Sequence, residues 1–563
     1  MAGVAALLKA SLFARVWLDR TKFEQATRHP EVAQSRFLDA LLRGHAGTTF
    51  GREHRFTTIT SPAEYAARVP IRDYEGLRPY VARILAGESQ ALTDEAPFMF
   101  TTTSGTTGEP KLIPVTQSWR DEMAALMRLW TFYALRDHPA LFDDKLLTIV
   151  SPAVEGTTPS GIPFGAMSGL AYQRLPWLMR RKHVLPYEVS LITDYDARYF
   201  VIIRFALAQD VSSLGTPNPS TLIRLAEIAS SRAEEIVRAI HDGVLGVQLA
   251  DAEEHEAGSL ADIKRALESG LRPDPARAAH LDKVFASGKP RTVGSCWPGL
   301  ALVACWLGGS AGVLARRLGQ YYGVQTSVRD LGLIASEGRF TIPVEDGTAA
   351  GVLAVRAAFF EFIPEDRIDD PAPPTLLAHE LKDGERYYII LTGTNGLYRY
   401  DLNDIVEVRG FYNRTPQVAF VRKGRDMVSI TGEKLHLNQI QQAIRDAEQK
   451  TGVEVWQFRV IPDVEAGRYD LLVELASPAE SPALLTDFAT AFDRALATRN
   501  IEYSAKRSSK RLGSPRLHVM RRGWAERLCR AEFRQGRRDN QHKWASIRPE
   551  WDQESRAELV QSL

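Results

Sequence analysis

Short runs of consecutive apolar residues alternate with amphipathic stretches along the chain. Residues 146–150 (LLTIV), 301–304 (ALVA), 352–355 (VLAV) and 387–391 (YYIIL) have the length and continuity of strands buried on both faces. Between them, residues 220–267 place Leu222, Leu225, Ile228, Ile236 and Ile240 at helical spacing, and Pro273 and Pro275 break the pattern. Residues 2–69 carry a helical pattern with a turn at 47–51, and residues 61–65 form a capped helix start ahead of Pro70. The apolar beginning of the chain has no basic flank, and Lys9, Arg15 and Asp19 interrupt it before it could span a bilayer. This predicts an amphipathic helix packed on the body, with a peripheral membrane contact as the alternative.

A strand-like stretch at 418–421 runs into the charged segment Lys423, Gly424, Arg425 and Asp426, which marks a boundary. Beyond it, Trp456, Phe458 and Val460 alternate with Gln457 and Arg459, residues 471–473 form another strand, and residues 482–499 have helical spacing. The predicted fold is α/β, with a large N-terminal domain of mixed sheets and flanking helices over 1–424. A smaller α+β domain follows over 425–563.

With 563 residues the chain exceeds one ordinary core, and 70 Lys plus Arg against 69 Asp plus Glu gives no general attraction to nucleic acid or an anionic membrane. The exception is local: residues 504–548 hold fourteen Lys/Arg against three Asp/Glu. Trp524, Phe533 and Trp544 are not interleaved there as base-stacking platforms, so a solvated basic face is favoured over a nucleic-acid site. Cys296, Cys305 and Cys529 lack the spacing of a zinc motif and are too few for a disulfide framework, which points to a reducing cytoplasm.

The candidate chemistry begins at residues 100–114 (FTTTSGTTGEPKLIP). Thr101, Thr102, Thr103, Ser104, Thr106 and Thr107 supply hydroxyl donors, Gly105 and Gly108 let backbone amides crowd an anion, and Lys111 adds a positive charge. This suits phosphate, although the spacing of the glycines and Leu112 after the lysine exclude the Walker pattern. Residues 331–338 (LGLIASEG) look like an apolar strand ending in Ser336 and Glu337, where a carboxylate can ligate magnesium beside a triphosphate or simply be solvated. In residues 396–404 (GLYRYDLND), Asp404 precedes a strand at a turn and can accept both ribose hydroxyls of a nucleotide; it can equally order the turn, and Asp401 competes for either role. Gly308, Gly309 and Ser310 either line an adenine pocket or begin a closely packed helix.

Together these pieces resemble the auxin-responsive Gretchen Hagen family of acyl-acid amido synthetases, in its bacterial type, a branch of the adenylate-forming superfamily. The nucleotide loop from Thr103 to Thr107 with Lys111, Leu112, Ile113 and Pro114, the Ala335-Ser336-Glu337 strand end, the phrase FFEFIP at 359–364, and the motif from Tyr398 to Phe411 all carry the likeness. Asn403 stands where that last motif has glycine. Asn540, Gln541, His542 and Lys543 are similar to the segment that bears the family's mobile catalytic lysine, while Lys423 to Asp426 looks more like the hinge of the wider superfamily.

The resemblance implies an adenylation domain over 1–424 and a mobile C-terminal domain over 425–563. It implies a ligase using ATP and magnesium to make acyl-AMP from a carboxylic acid, then passing the acyl group to an amine or amino acid. Thr103, Ser104, Gly105, Thr106, Thr107, Lys111 and Ser336 would serve the phosphates, Glu337 the metal, Asp404 the ribose, Arg425 the hinge and nucleotide, and Lys543 the reacting centre. An acyl-CoA or aryl-CoA ligase is the nearest alternative, and a non-catalytic adenylate-binding sensor the next. For the acid, the sequence leaves Arg128, Arg174 and Arg204 as equal candidates for a carboxylate anchor.

Overall fold

The computed structural model describes residues 2–103, 111–249, 259–286, 293–368, 370, 372–424, 427–477, 481–528 and 546–563. These fall into two compact units, residues 2–103 with 111–422, and residues 423–563.

In the first unit, the N-terminal helix Ala2–Arg28 packs on the body as expected, but its apolar residues are not gathered on one face: Phe13, Trp17 and Leu18 stand exposed. Val16 and Phe23 are buried against Leu126, Leu129, Phe132 and Tyr133 of helix Gln117–Asp137. The predicted cap near residue 61 forms: Ser61 Oγ accepts from Glu64 N at 3.2 Å, and Glu64 Oε2 accepts from the amide of the preceding Thr60 at 2.8 Å.

Three larger sheets organise this unit. Strands Lys145–Thr148, Val211–Gly215, Leu302–Ala304 and Ser327–Arg329 form a four-stranded parallel sheet. Its continuous apolar strands are covered by helices Tyr195–Leu207, Pro219–Ser231 and Ala233–Asp242. A seven-stranded sheet runs in the order Thr341–Ile342, Gly351–Leu353, Thr415–Lys423, Tyr400–Tyr412, Arg386–Thr392, Phe359–Pro364, Leu376–Leu377. The third sheet holds hairpin Met99–Thr103 and Lys111–Val115, with Pro163–Gly165 parallel to the first of these and Gly156–Thr157 at the edge.

In the second unit, strands Val455–Asp463, Arg468–Leu475, Arg516–Met520 and Leu559–Ser562 form one sheet. Helices Leu437–Thr451 and Pro482–Arg499 share its apolar core, so this unit is α+β. The expected alternation at 456–460 is interrupted. Val455 pairs with Leu475 and Gln457 with Glu474, which leaves Trp456 as the extra residue of a bulge and turns it outward, 73% exposed. Arg459 is buried instead, bonded to Asp552 at 2.7 Å beneath the Trp524 ring.

Part of the basic stretch is engaged internally, since Arg507 pairs with Asp493 and Arg527 with Glu558. Among the described residues no helix is long and apolar enough to cross a membrane. Cys296 and Cys305 are buried and unbonded to each other.

Candidate active site

The hydroxyl-rich loop springs from an antiparallel hairpin in which Thr103 is paired with Lys111. Ser104, Gly105, Thr106 and Thr107 lie outside the described residues, as do Arg425 and Lys543. Hydrogen bonds hold the base of the loop. Tyr74 Oη accepts from Leu112 N at 2.8 Å, and its ring lies 5.8 Å from Lys111 Nζ. Thr101 Oγ1 donates to Ser336 O at 3.3 Å, and Ser336 Oγ donates back to Thr102 O at 3.4 Å. Two motifs separated by 235 residues are thereby joined at their polar ends.

Glu337 does not follow an apolar strand of the parallel sheet. The strand there is Ser327–Arg329, and residues 334–339 form a small hairpin, Ile334–Ala335 paired with Gly338–Arg339, with Ser336 and Glu337 at its tip. The carbonyls of residues 330–332 find side-chain donors instead of a sheet partner: Trp130 Nε1 on Asp330 O, Arg339 Nη1 on Leu331 O and Trp306 Nε1 on Gly332 O.

The Glu337 side chain is buried rather than solvated, 6% exposed, and its Oε1 accepts from Tyr400 Oη at 3.3 Å. Burial, with the adjacent Glu337 charge, holds the Tyr400 phenol well above its usual range, so it remains a donor. The Glu337 carbonyl accepts from Trp119 Nε1 and from Asn395 Nδ2, each at 3.3 Å, fixing the tip from behind. Asn395 Oδ1 is buried without a partner among the described residues. Oxygen donors of this kind beside a lone carboxylate suit a hard cation that takes its other ligands from a phosphate chain. Among the described residues no group of three acidic, His or Cys side chains could hold a metal by itself.

Asp404 lies inside a strand, not ahead of one. Strand Tyr400–Tyr412 pairs Asp401 with Ile390 and Ile405 with Tyr388, so Leu402, Asn403 and Asp404 bulge opposite Ile389. Asn403 has φ 54°, and its amide donates to Asp401 Oδ1 at 2.7 Å. Asparagine tolerates the left-handed conformation, so the substitution for glycine keeps the turn. Asp401 takes the turn-ordering role, and Asp404 is 3% exposed.

One pillar of this region escapes sequence inspection. Arg399, with φ 47°, is bidentate to Glu361 at 2.8 Å and 2.8 Å and also donates to Ala66 O and Val69 O. The available signal was a glutamate in the middle of the apolar strand Phe359–Pro364. Glu122 is another; it accepts from Thr394 Oγ1 at 2.8 Å, and burial pushes its carboxyl up to about 7.

The three arginines proposed for the acid fare unequally. Arg128 is paired with Asp19 at 2.8 Å, and buried Arg204 donates to Val244 O and Ala239 O at the end of helix Ala233–Asp242. Both are committed to structure, while Arg174 is exposed over the Phe98 ring. Gly308 and Gly309 are explained by packing: a Cβ at either would come within 2.8 Å of the carbonyl of Phe420 or Val421.

Sequence comparison matches the GH3 family N-terminal domain to residues 19–326, its central domain to 351–423 and its C-terminal domain to 438–548. The chain belongs to the GH3 family. Among GH3 relatives, indole-3-acetic acid-amido synthetase GH3.4 of Arabidopsis thaliana is 24% identical over 546 residues, covering 92% of this chain and 89% of that protein. Jasmonoyl-L-amino acid synthetase GH3.5 of Oryza sativa subsp. japonica is 25% identical, with 89% of each chain covered. The solved structure of GH3.15 acyl acid amido synthetase shares the fold, with TM-score 0.62 at 20% identity over 96% of this chain and 95% of that one. This GH3 chain therefore shares the α/β fold of that structure.

Proposed function

We propose that the chain is an ATP-dependent acyl-acid amido synthetase. Residues 1–424 serve as the adenylation domain and residues 425–563 as a mobile C-terminal domain. The observation that carries this reading is the pair of hydrogen bonds joining Thr101 and Thr102 to Ser336, because they set the root of a phosphate-binding loop against the Glu337 carboxylate. The names of the GH3 relatives, which are amido synthetases for indole-3-acetic acid and for jasmonoyl-amino acid conjugates, supply the reaction class.

In the first step an oxygen of the substrate carboxylate bonds to the α-phosphorus of ATP as the bond to pyrophosphate breaks. Negative charge grows on the phosphoryl oxygens and the leaving group, so positioning and fixed dipoles do most of the work. Thr103, Ser104, Gly105, Thr106, Thr107 and Lys111 hold phosphate oxygens, with Ser336 at the loop's root. Glu337 would hold magnesium, which would supply positive charge to the phosphate chain. Asp404 accepts the ribose hydroxyls, Arg425 acts at the hinge beside the nucleotide, and Lys543 neutralises the reacting centre when the small domain closes. In the second step an amine, taken here as an amino acid, attacks the acyl carbonyl. AMP leaves, an amide forms and the amine loses a proton. The reaction belongs to the cytoplasm and involves no nucleic acid.

The test is ATP–pyrophosphate exchange across a panel of carboxylic acids with magnesium, followed by product mass with amino acids or coenzyme A. Exchange with some acid and an amide product is expected. No exchange with any acid ends the adenylation reading, and a thioester product in place of an amide reassigns the acceptor. Lys543→Ala should lower exchange by about 10²-fold or more with folding intact. Unchanged exchange removes Lys543 from the mechanism.

A further inference from the structure

Among the described residues five arginines are deeply buried, and four of them have their charge answered. Arg329 is paired with Asp137 and Asp346, Arg399 with Glu361, and Arg459 with Asp552. Arg204 has no carboxylate, but two carbonyls at a helix C-terminus, the negative end of the helix dipole, receive it. Arg339 is the exception. It is 8% exposed, and among the described residues it forms no ion pair.

Its contacts are few for five N–H donors. Nη1 donates to Leu331 O at 2.6 Å, Nη2 meets Met127 Sδ at 3.4 Å, and its backbone amide meets Met123 Sδ at 3.2 Å. A thioether is a weak acceptor, so the guanidinium is only partly satisfied. The acidic group whose field it feels is Asp330, and that carboxylate already accepts the amides of Leu307 and Gly332 at 2.6 Å and 2.5 Å. A buried cation left this way costs several kcal/mol unless something else pairs with it.

The location identifies the partner. Arg339 is two residues from Glu337, on the same small hairpin, and the sulfur beside it belongs to Met127, which is 44% exposed on the helix that also carries Trp119. Methionines give a deformable apolar lining suited to the body of an organic acid, and the guanidinium gives a planar fork suited to its carboxylate.

We propose that Arg339 is the anion site for a carboxylate of the acyl acid. The inference rests on the adenylation reading for the site's purpose, but not for the contact itself. The same chemistry can come from the reacting carboxylate or from a second carboxylate on a dicarboxylic acid.

Calorimetric titration of the full chain separates these, using hexanoate with adipate and phenylacetate with its para-carboxymethyl analogue. The variants are Arg339→Met and Arg339→Lys. Expected is a loss of acid affinity of about 10- to 100-fold in R339M, partly restored in R339K, with ATP affinity unchanged. Weakening confined to the dicarboxylates assigns Arg339 to a second carboxylate, and equal weakening of both classes assigns it to the reacting one. The proposal is overturned if no acid binds the wild type more tightly than R339M, or if acid and ATP affinity fall together with the melting temperature. Pyrophosphate exchange on the same samples keeps the two readings apart: bound acid without exchange ends adenylation and leaves the Arg339 result standing.

Discussion

Glu361 and Glu337 are both buried carboxylates in the same unit, and they are held in opposite ways. Glu361 is 2% exposed and clamped by both arms of Arg399 at 2.8 Å, while Glu337 is 6% exposed and has on its carboxylate, among the described residues, one long hydrogen bond, from Tyr400 Oη at 3.3 Å. A carboxylate whose charge is answered inside the protein belongs to the scaffold. One positioned through its backbone, with its charge left to a neutral phenol, is poised to meet a cation from outside. The partner of a buried charge, more than its burial, thus separates architecture from chemistry.

Stranding one member of the scaffold pair should have the largest effect. Arg399→Ala leaves Glu361 buried and uncompensated and should cost about 3–5 kcal/mol, seen as a large fall in the urea midpoint of unfolding. A midpoint within error of wild type would put Glu361 and Glu337 in one class. Glu337→Gln should do the reverse, lowering pyrophosphate exchange by about 10²-fold while leaving the melting temperature at or slightly above wild type. Parallel loss of stability and exchange would return Glu337 to the scaffold.

A smaller effect concerns Glu122, a half-buried acid that has no arginine clamp among the described residues. Burial raises its carboxyl from 4.5 to about 7, so the folded state holds the proton more tightly than the unfolded state. Its contribution to stability is therefore greatest at acid pH and falls as pH rises from about 4.5 through 7. Glu122→Gln should melt like wild type at pH 5 and at a higher temperature at pH 8; equal melting at both would show that the carboxyl titrates normally. The smallest change is Ser336→Ala, which removes one long hydrogen bond to Thr102 O and should cost about 0.5–1.5 kcal/mol, with a modest loss of exchange.

Much of the fold was legible because buried strands and packed helices leave periodic marks. Residues 387–391 lie within strand Arg386–Thr392, and residues 482–499 are the helix Pro482–Arg499. The apolar stretch at 331–335 misled for a physical reason: the Arg339 guanidinium and the Trp306 indole took the carbonyls of Leu331 and Gly332, and only Ile334–Ala335 pairs as a strand. Trp456 misled because a one-residue bulge reverses the alternation after it. Of the candidate site, the loop root, Ser336, Glu337 and Asp404 carried signals in residue type and order. Arg339 carried none, since a lone arginine after a glycine is ordinary until its burial, and its lack of an ion pair among the described residues, are known.

The bulge at Leu402, Asn403 and Asp404 has a consequence for how this strand can change. Five positions from Asp401 to Ile405 stand against three from Tyr388 to Ile390, so the excursion adds two residues, an even number. Because side chains alternate faces with a period of two, the rest of the strand keeps its phase, and Val406 and Val408 remain in the core. An acidic residue has thus been placed in a central strand without shifting the frame of the strand's remaining length. Deleting one residue here would invert that frame at every later position. Deleting two would erase Asp404's perch and leave the barrier between core and solvent where it is.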